Sequence, residues 1–191
     1  LTSLTVIEML TALRAGNPIH KMFSHLTNFS IDQGILLEAD LDPTQEAYLY
    51  DHQINGIPVL PGVIGIEGFS TAAQHIASVL GSSRGMFEVN RMEAIQFLSP
   101  FKFYGNKTRT IQWKAAACRT PEGIKVEATL ESDSTRHNGE VSHNVHFKAN
   151  IFLMPSENLV VSAVKPPKWS EKNSVSSTDI YKLYFHGPSF Q

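Results

Sequence analysis

The stretch DHQINGIPVLPGVIGIE (residues 51–67) holds one imidazole, His52, behind an acid and ahead of a run punctuated by glycine and proline. A histidine with its ordinary pKa of about 6.5 is mostly neutral at pH 7 and can accept a proton. Three residues separate it from Gly56, four more lead to Pro61, and Gly62 follows. Pro61 and Gly62 stand where a helical pattern begins. The first turn of a helix carries amide N–H groups without intrahelical acceptors, at the positive end of the helix dipole. A base facing such an amide suits proton abstraction next to a carbonyl, with the amide stabilising the enolate-like oxygen. One well-aimed donor is worth about 3 kcal/mol in related oxyanion settings. We therefore expect His52 as general base and the Gly62 N–H as oxyanion donor. Gly62 admits a close carbonyl, while Gly56 and Pro61 fix the path of the loop and border the substrate. Expulsion of a group from the neighbouring carbon would also need an acid.

The elements that must position these groups follow from hydrophobic period and turn residues. Apolar residues at Val6, Met9, Leu10 and Leu13, with Gly16 as a stop, predict a lead-in helix over residues 5–16. Residues 34–42 and 46–53 read as strands joined at Asp42 and Pro43. Residues 61–81 form the strongest helical pattern, apolar over most of its circumference and therefore expected to be largely buried. Four runs of strand character follow, at 84–101, 107–119, 123–132 and 140–153. The last alternates Val141, Val145, Phe147, Ala149 and Ile151 against Ser142, His146, Lys148 and Asn150, as in a half-buried antiparallel sheet. One sheet wrapped around one central helix satisfies both kinds of apolar surface. The expected class is α+β and the expected architecture the hot-dog fold.

Composition bounds the function. The chain has 191 residues, 42% hydrophobic and 18% charged, which suits a globular domain with a real core. A formal net charge of -2 without basic runs argues against nucleic-acid binding through phosphate neutralisation. No apolar run approaches the roughly 18 residues of a membrane span. Cys118 is the one cysteine, which excludes an internal disulfide and a multi-thiol metal site and favours a cytoplasmic, reducing setting. Leu1 at the start and YFHGPSFQ at the end suggest a piece cut from a longer polypeptide.

His52, Gly56 and Pro61 together match HxxxGxxxxP, which resembles the signature of dehydratase domains in polyketide and polyunsaturated fatty-acid synthases. PVLPGVIGIE is similar to the stretch after the active-site histidine in free-standing 3-hydroxyacyl-carrier-protein dehydratases. LYFHGPSF, residues 183–190, resembles the GYxYGPxF motif that opens the second half of the synthase domains. The resemblance implies a double hot dog, of which this chain is the first half. Its divisions would be a lead-in at 1–28, the hot dog at 29–158, a Pro/Ser/Lys-rich linker at 159–179, and the start of a second hot dog at 180–191. It implies loss of water from a 3-hydroxyacyl thioester to the trans-2-enoyl thioester. No cofactor is bound directly; the substrate arrives on the phosphopantetheine of an acyl carrier protein. Tyr184, His186 and Pro188 would border the substrate channel, although His186 and Leu183 depart from the motif's second tyrosine and its glycine.

In the family the acid is an aspartate of DxxxQ or DxxxH on the second central helix, which places it beyond Gln191. Asp133 and His137 spell DxxxH here, but inside a polar turn. Glu67 falls where free-standing dehydratases carry a catalytic glutamate that reaches another subunit's histidine. It is either a remnant of duplication, hydrogen-bonded or partly solvated, or an acid that works when two copies pair. Other readings stay open: a product-template-type aldol cyclase, a hot-dog thioesterase, or an inactive hot dog that docks carrier protein or supports a dimer. His20 and His25 read as surface or linker residues, and His75 as a helix-end residue. His143 and His146, at odd spacing on one strand, point to opposite faces, so no metal site is expected. Cys118 reads as structural.

Overall fold

The computed structural model describes residues 25–30, 34–81, 87–135, 139–158, 174–176 and 179. The lead-in helix at 5–16, most of the linker, and Tyr184, His186 and Pro188 lie outside the described residues.

Six strands form one antiparallel sheet in the order β1-β2-β6-β7-β8-β5. They are β1 (His25–Ser30), β2 (Gly34–Leu41), β5 (Phe87–Phe97), β6 (Arg109–Thr120), β7 (Gly123–Thr135) and β8 (Val141–Pro155). β1 adds one strand to those read from the sequence. A long helix, α2 (Gly62–Gly81), lies in the sheet's concave face and contacts β2, β5, β6, β7 and β8. This is the expected α+β, helix-in-sheet arrangement. Between β2 and α2 the chain makes a short helix, α1 (Ala47–Asp51), and a small hairpin, β3 (Gln53–Ile54) with β4 (Ile57–Pro58).

The core lies between α2 and the sheet. Phe69, Ala72, Ala73, Ile76 and Ala77 of the helix meet Leu37, Ile111, Trp113, Val126, Leu130 and Ile151 of the strands, all buried. The helix sits close because glycine recurs along its inner side. A Cβ at Gly65 would lie 2.4 Å from Phe147 Cδ2, and one at Gly68 would lie 2.1 Å from Trp113 Nε1. Neither space can hold a methyl group without displacing a packed ring.

One expectation is corrected. Residues 46–53 do not form a strand; most of them form α1. Asp42 makes the turn before it, its carboxylate accepting from the Thr44 amide at 2.8 Å and its carbonyl from the Gln45 and Glu46 amides, and the Glu46 carbonyl then accepts from the Leu49 and Tyr50 amides. This local bonding competes with the strand alternative, for which Ala47, Tyr48, Leu49 and Tyr50 supply only one buried side chain, Leu49. α2 is largely buried and exposed along one side. Val63 is 63% exposed, and Glu67, Gln74 and Ser78 are exposed along the same side, because one sheet covers one flank of a helix. Cys118 is an exposed free thiol, since the inward side of β6 is taken by Ile111, Trp113 and Ala115.

β8 keeps the expected alternation from Phe147 to Leu153, but its register against β7 skips at His146. Leu130 pairs with Phe147 and Glu131 with Val145, so His146 is an extra residue whose ring turns into the interior. Its Nε2 shares a 2.8 Å hydrogen bond with Ser132 Oγ, and its Nδ1 meets Ser99 Oγ at 3.1 Å. Burial holds its pKa below the ordinary histidine value, and Arg109 and His143 lower it further, against the Ser99 carbonyl. A histidine with a depressed folded pKa contributes stability that is complete above about pH 6.5, its unfolded value, and is lost as pH falls through the folded value. His143 has the opposite sign, raised chiefly by its hydrogen bond to Asp133, but its ring is more than half exposed and screened. The melting temperature is therefore expected to fall between about pH 7 and pH 5. The slope should flatten in His146→Gln, measured by thermal unfolding across that range; an unchanged slope would assign the acid sensitivity to other groups.

Candidate functional site

The site begins with the hairpin after α1. Gln53 pairs with Pro58 and Ile54 with Ile57, leaving Asn55 and Gly56 as the two turn residues. Their φ values are 53° and 74°, both in the left-handed region that a tight two-residue hairpin requires. Gly56 of the motif is therefore a turn residue. It is exposed, with nothing within 4 Å of where a Cβ would stand, so its backbone angle, not close contact, is what calls for glycine. The turn folds the chain back until Val59 lies against His52.

There the backbone and the imidazole both bond. The Val59 amide donates to the His52 carbonyl at 2.9 Å, and His52 Nδ1 lies 2.7 Å from the Val59 carbonyl oxygen. A carbonyl oxygen only accepts, so Nδ1 carries the proton and the neutral ring's basic lone pair is on Nε2. The ring is half-buried at the end of α1. The sequence reading missed the Val59 carbonyl as the group that orients the base. Its signal was the seven-residue spacing across an Asn-Gly turn.

Three residues on, Gly62 begins α2. Pro61 is buried and its carbonyl accepts from the Ile64 and Gly65 amides, so it fixes the start of the helix. The Phe97 ring rests on Gly62: a Cβ there would be 2.8 Å from Phe97 Cε1. Phe97 is itself 57% exposed and packs edge-on against Phe147. It was not among the residues singled out from the sequence. Glu67 stands on the exposed side of α2, five residues and about 7.5 Å of helical rise beyond Gly62. Asp133 is exposed on β7, where it bonds His143 Nδ1 at 2.8 Å, so the DxxxH spelling does not belong to a central helix. Among the described residues no group of three His, Cys, Asp or Glu side chains could hold a metal ion. Nor is any described helix long and apolar enough to cross a membrane.

Residues 20–131, which contain His52, Gly56, Val59, Pro61, Gly62, Glu67 and Phe97, match the family described as polyketide synthase dehydratase domain. The chain belongs to that family. The chain is also similar to "Probable polyketide synthase 1" of Dictyostelium discoideum, 33% identical over 105 residues. That alignment covers 52% of this chain and 3% of the relative, so the chain corresponds to a small part of such a synthase. Among solved dehydratase structures, the domain from the terminal module of the rifamycin polyketide synthase superposes with a TM-score of 0.66 at 16% identity. That alignment takes in 94% of this chain and 61% of the other. A trans-AT polyketide synthase dehydratase domain from Brevibacillus brevis gives 0.59 at 18% identity, over 90% of this chain and 60% of its own. At such identities the likeness establishes the hot-dog fold of the dehydratase domains. It also shows that this chain spans a little over half of each.

Proposed function

We propose that this chain carries the base-bearing half of a dehydratase that removes water from a 3-hydroxyacyl thioester held on the phosphopantetheine of an acyl carrier protein. The observation that carries the reading is the His52 Nδ1–Val59 carbonyl bond, which leaves Nε2 as the basic nitrogen. Nε2 takes the proton from the carbon next to the thioester carbonyl, and the electron pair moves toward the carbonyl oxygen. The first amides of α2, beginning at Gly62, stabilise that oxygen. As the pair returns to form the double bond, the hydroxyl leaves with a proton from an acid, giving the trans-2-enoyl thioester and water. That acid comes from a second hot dog, and the other domains of the synthase are partners of the same polypeptide. The exposure of Glu67 favours one alternative source, a second copy of the chain in a dimer. The whole assembly works in the cytoplasm.

The test is dehydration of a short 3-hydroxyacyl thioester by the polypeptide that carries this chain, followed by absorbance of the enoyl thioester and by the reverse hydration. Turnover that disappears in His52→Ala supports the reading. An inactive wild-type polypeptide that still binds carrier protein would replace it with a docking role, and ring closure of a poly-β-keto thioester with a cyclase.

A further inference from the structure

The hairpin that orients His52 is two residues long on each side, and a two-stranded piece of that size has little stability of its own. What it leans on therefore decides where the Val59 carbonyl points. It leans on residues 101–103. The Leu60 amide donates to the Phe101 carbonyl at 3.0 Å, the Phe103 amide donates to the Pro58 carbonyl at 2.9 Å, and Val59 pairs with Lys102. Phe101 and Phe103 are fully buried and pack edge-on against each other.

That supporting segment is gripped by one side chain from the start of β6. Arg109 Nη1 donates to the Lys102 carbonyl at 2.6 Å, and its guanidinium carbon lies 4.2 Å over the Phe101 ring. Nη2 reaches Ser132 Oγ at 3.4 Å, and Ser132 in turn bonds His146, whose ring stands edge-on to Phe101 at 5.0 Å. Resting on the dehydratase reading above, we propose that Arg109 is a positioning residue for His52. It acts through Lys102 and Val59, holding the carbonyl that fixes the histidine's proton on Nδ1. A planar fork can bond Lys102 and Ser132 while stacking on Phe101; an ammonium group at this place cannot do all three.

Because Arg109 is remote from the reacting atoms, its loss should misplace the base rather than remove it. Small misplacements of a reacting group cost up to about 100-fold. In Arg109→Gln of the intact polypeptide, kcat for thioester dehydration is expected to fall about 10- to 100-fold, with KM within about threefold. The decisive readout is solid-state 15N NMR of histidine-labelled protein, the His52 signals being assigned by their loss in His52→Gln. The unaltered protein should show His52 as the Nδ1–H tautomer, and Arg109→Gln a mixture of tautomers. Arg109→Lys and Ser132→Ala should shift both readouts part of the way, and they decide the matter if Arg109→Gln does not fold. A purely Nδ1–H His52 in any folded Arg109 variant overturns the proposal, whatever the rate. A mixed tautomer with full activity would keep Arg109's hold on the ring but overturn its catalytic consequence. If the unaltered protein does not dehydrate the thioester, the proposed function fails, while the tautomer comparison still decides whether Arg109 positions His52.

Discussion

His52→Ala is expected to slow loss of water from a 3-hydroxyacyl thioester by about 10²- to 10⁴-fold, the range a positioned general base contributes. The reason is specific to the geometry. With Nδ1 committed to the Val59 carbonyl at 2.7 Å, the ring offers its basic lone pair on Nε2, and alanine offers none. His52→Gln should fail as badly. Its amide can keep a hydrogen bond to Val59, but an amide is not basic near neutral pH. The hydrogen bond to Val59, which His52→Ala gives up and His52→Gln can keep, is worth about 1 kcal/mol. The melting temperature should therefore move little while single-turnover dehydration collapses. A His52→Ala protein that keeps a tenth or more of the single-turnover rate would remove His52 from the role of base and with it the mechanism proposed above.

The second large effect is on folding. Gly68→Ala is expected to destabilise the domain by about 2 kcal/mol net. Alanine would gain about 1 kcal/mol over glycine inside a helix. Against that gain, its methyl would lie 2.1 Å from Trp113 Nε1 and 2.4 Å from Cε2. Trp113 is fully buried, so the ring has nowhere to move without displacing the sheet beside it. Overpacking of this kind stands at the upper end of its usual cost, about 3 kcal/mol. The net loss would lower the melting temperature by about 4–8 °C in a domain of this size. Gly62→Ala supplies the contrast. Its methyl would meet Phe97 at 2.8 Å, but that ring is more than half exposed and can swing aside, so stability should hardly change. A double-mutant cycle with Trp113→Phe should be strongly non-additive for Gly68→Ala and additive for Gly62→Ala. Equal effects of the two alanines would show that the helix does not sit as close to β6 as described.

Much of this protein was legible in residue order. The helix read over residues 61–81 is Gly62–Gly81. The four later strands lie within a few residues of their expected bounds, because long segments with an even hydrophobic period leave little choice of element. The misreadings fell on short segments. The run at 46–53 has too few apolar positions to declare a period, and its Leu49 and Tyr50 amides bond back to the Glu46 carbonyl as in a helix. His146 looked outward by parity, yet one skipped residue in the register turned it inward onto Ser132. Parity counts cannot see a bulge, because the bulge is decided by what the partner strand places opposite.

The site divides along the same line. HxxxGxxxxP, together with the helix it introduces, was enough to single out His52, Gly56, Pro61 and Gly62. Glycine and proline fix backbone angles locally, and the sequence carries that information by itself. Local angles also account for Gly56 as the turn residue and Pro61 as the start of the helix. What only the tertiary structure decided is which atom faces which. The choice of tautomer at His52 rests on Val59, and the support of Val59 rests on residues 101–103. Each depends on a contact between segments far apart in the chain, formed only once the sheet has closed around the helix, and no local pattern of residues encodes it.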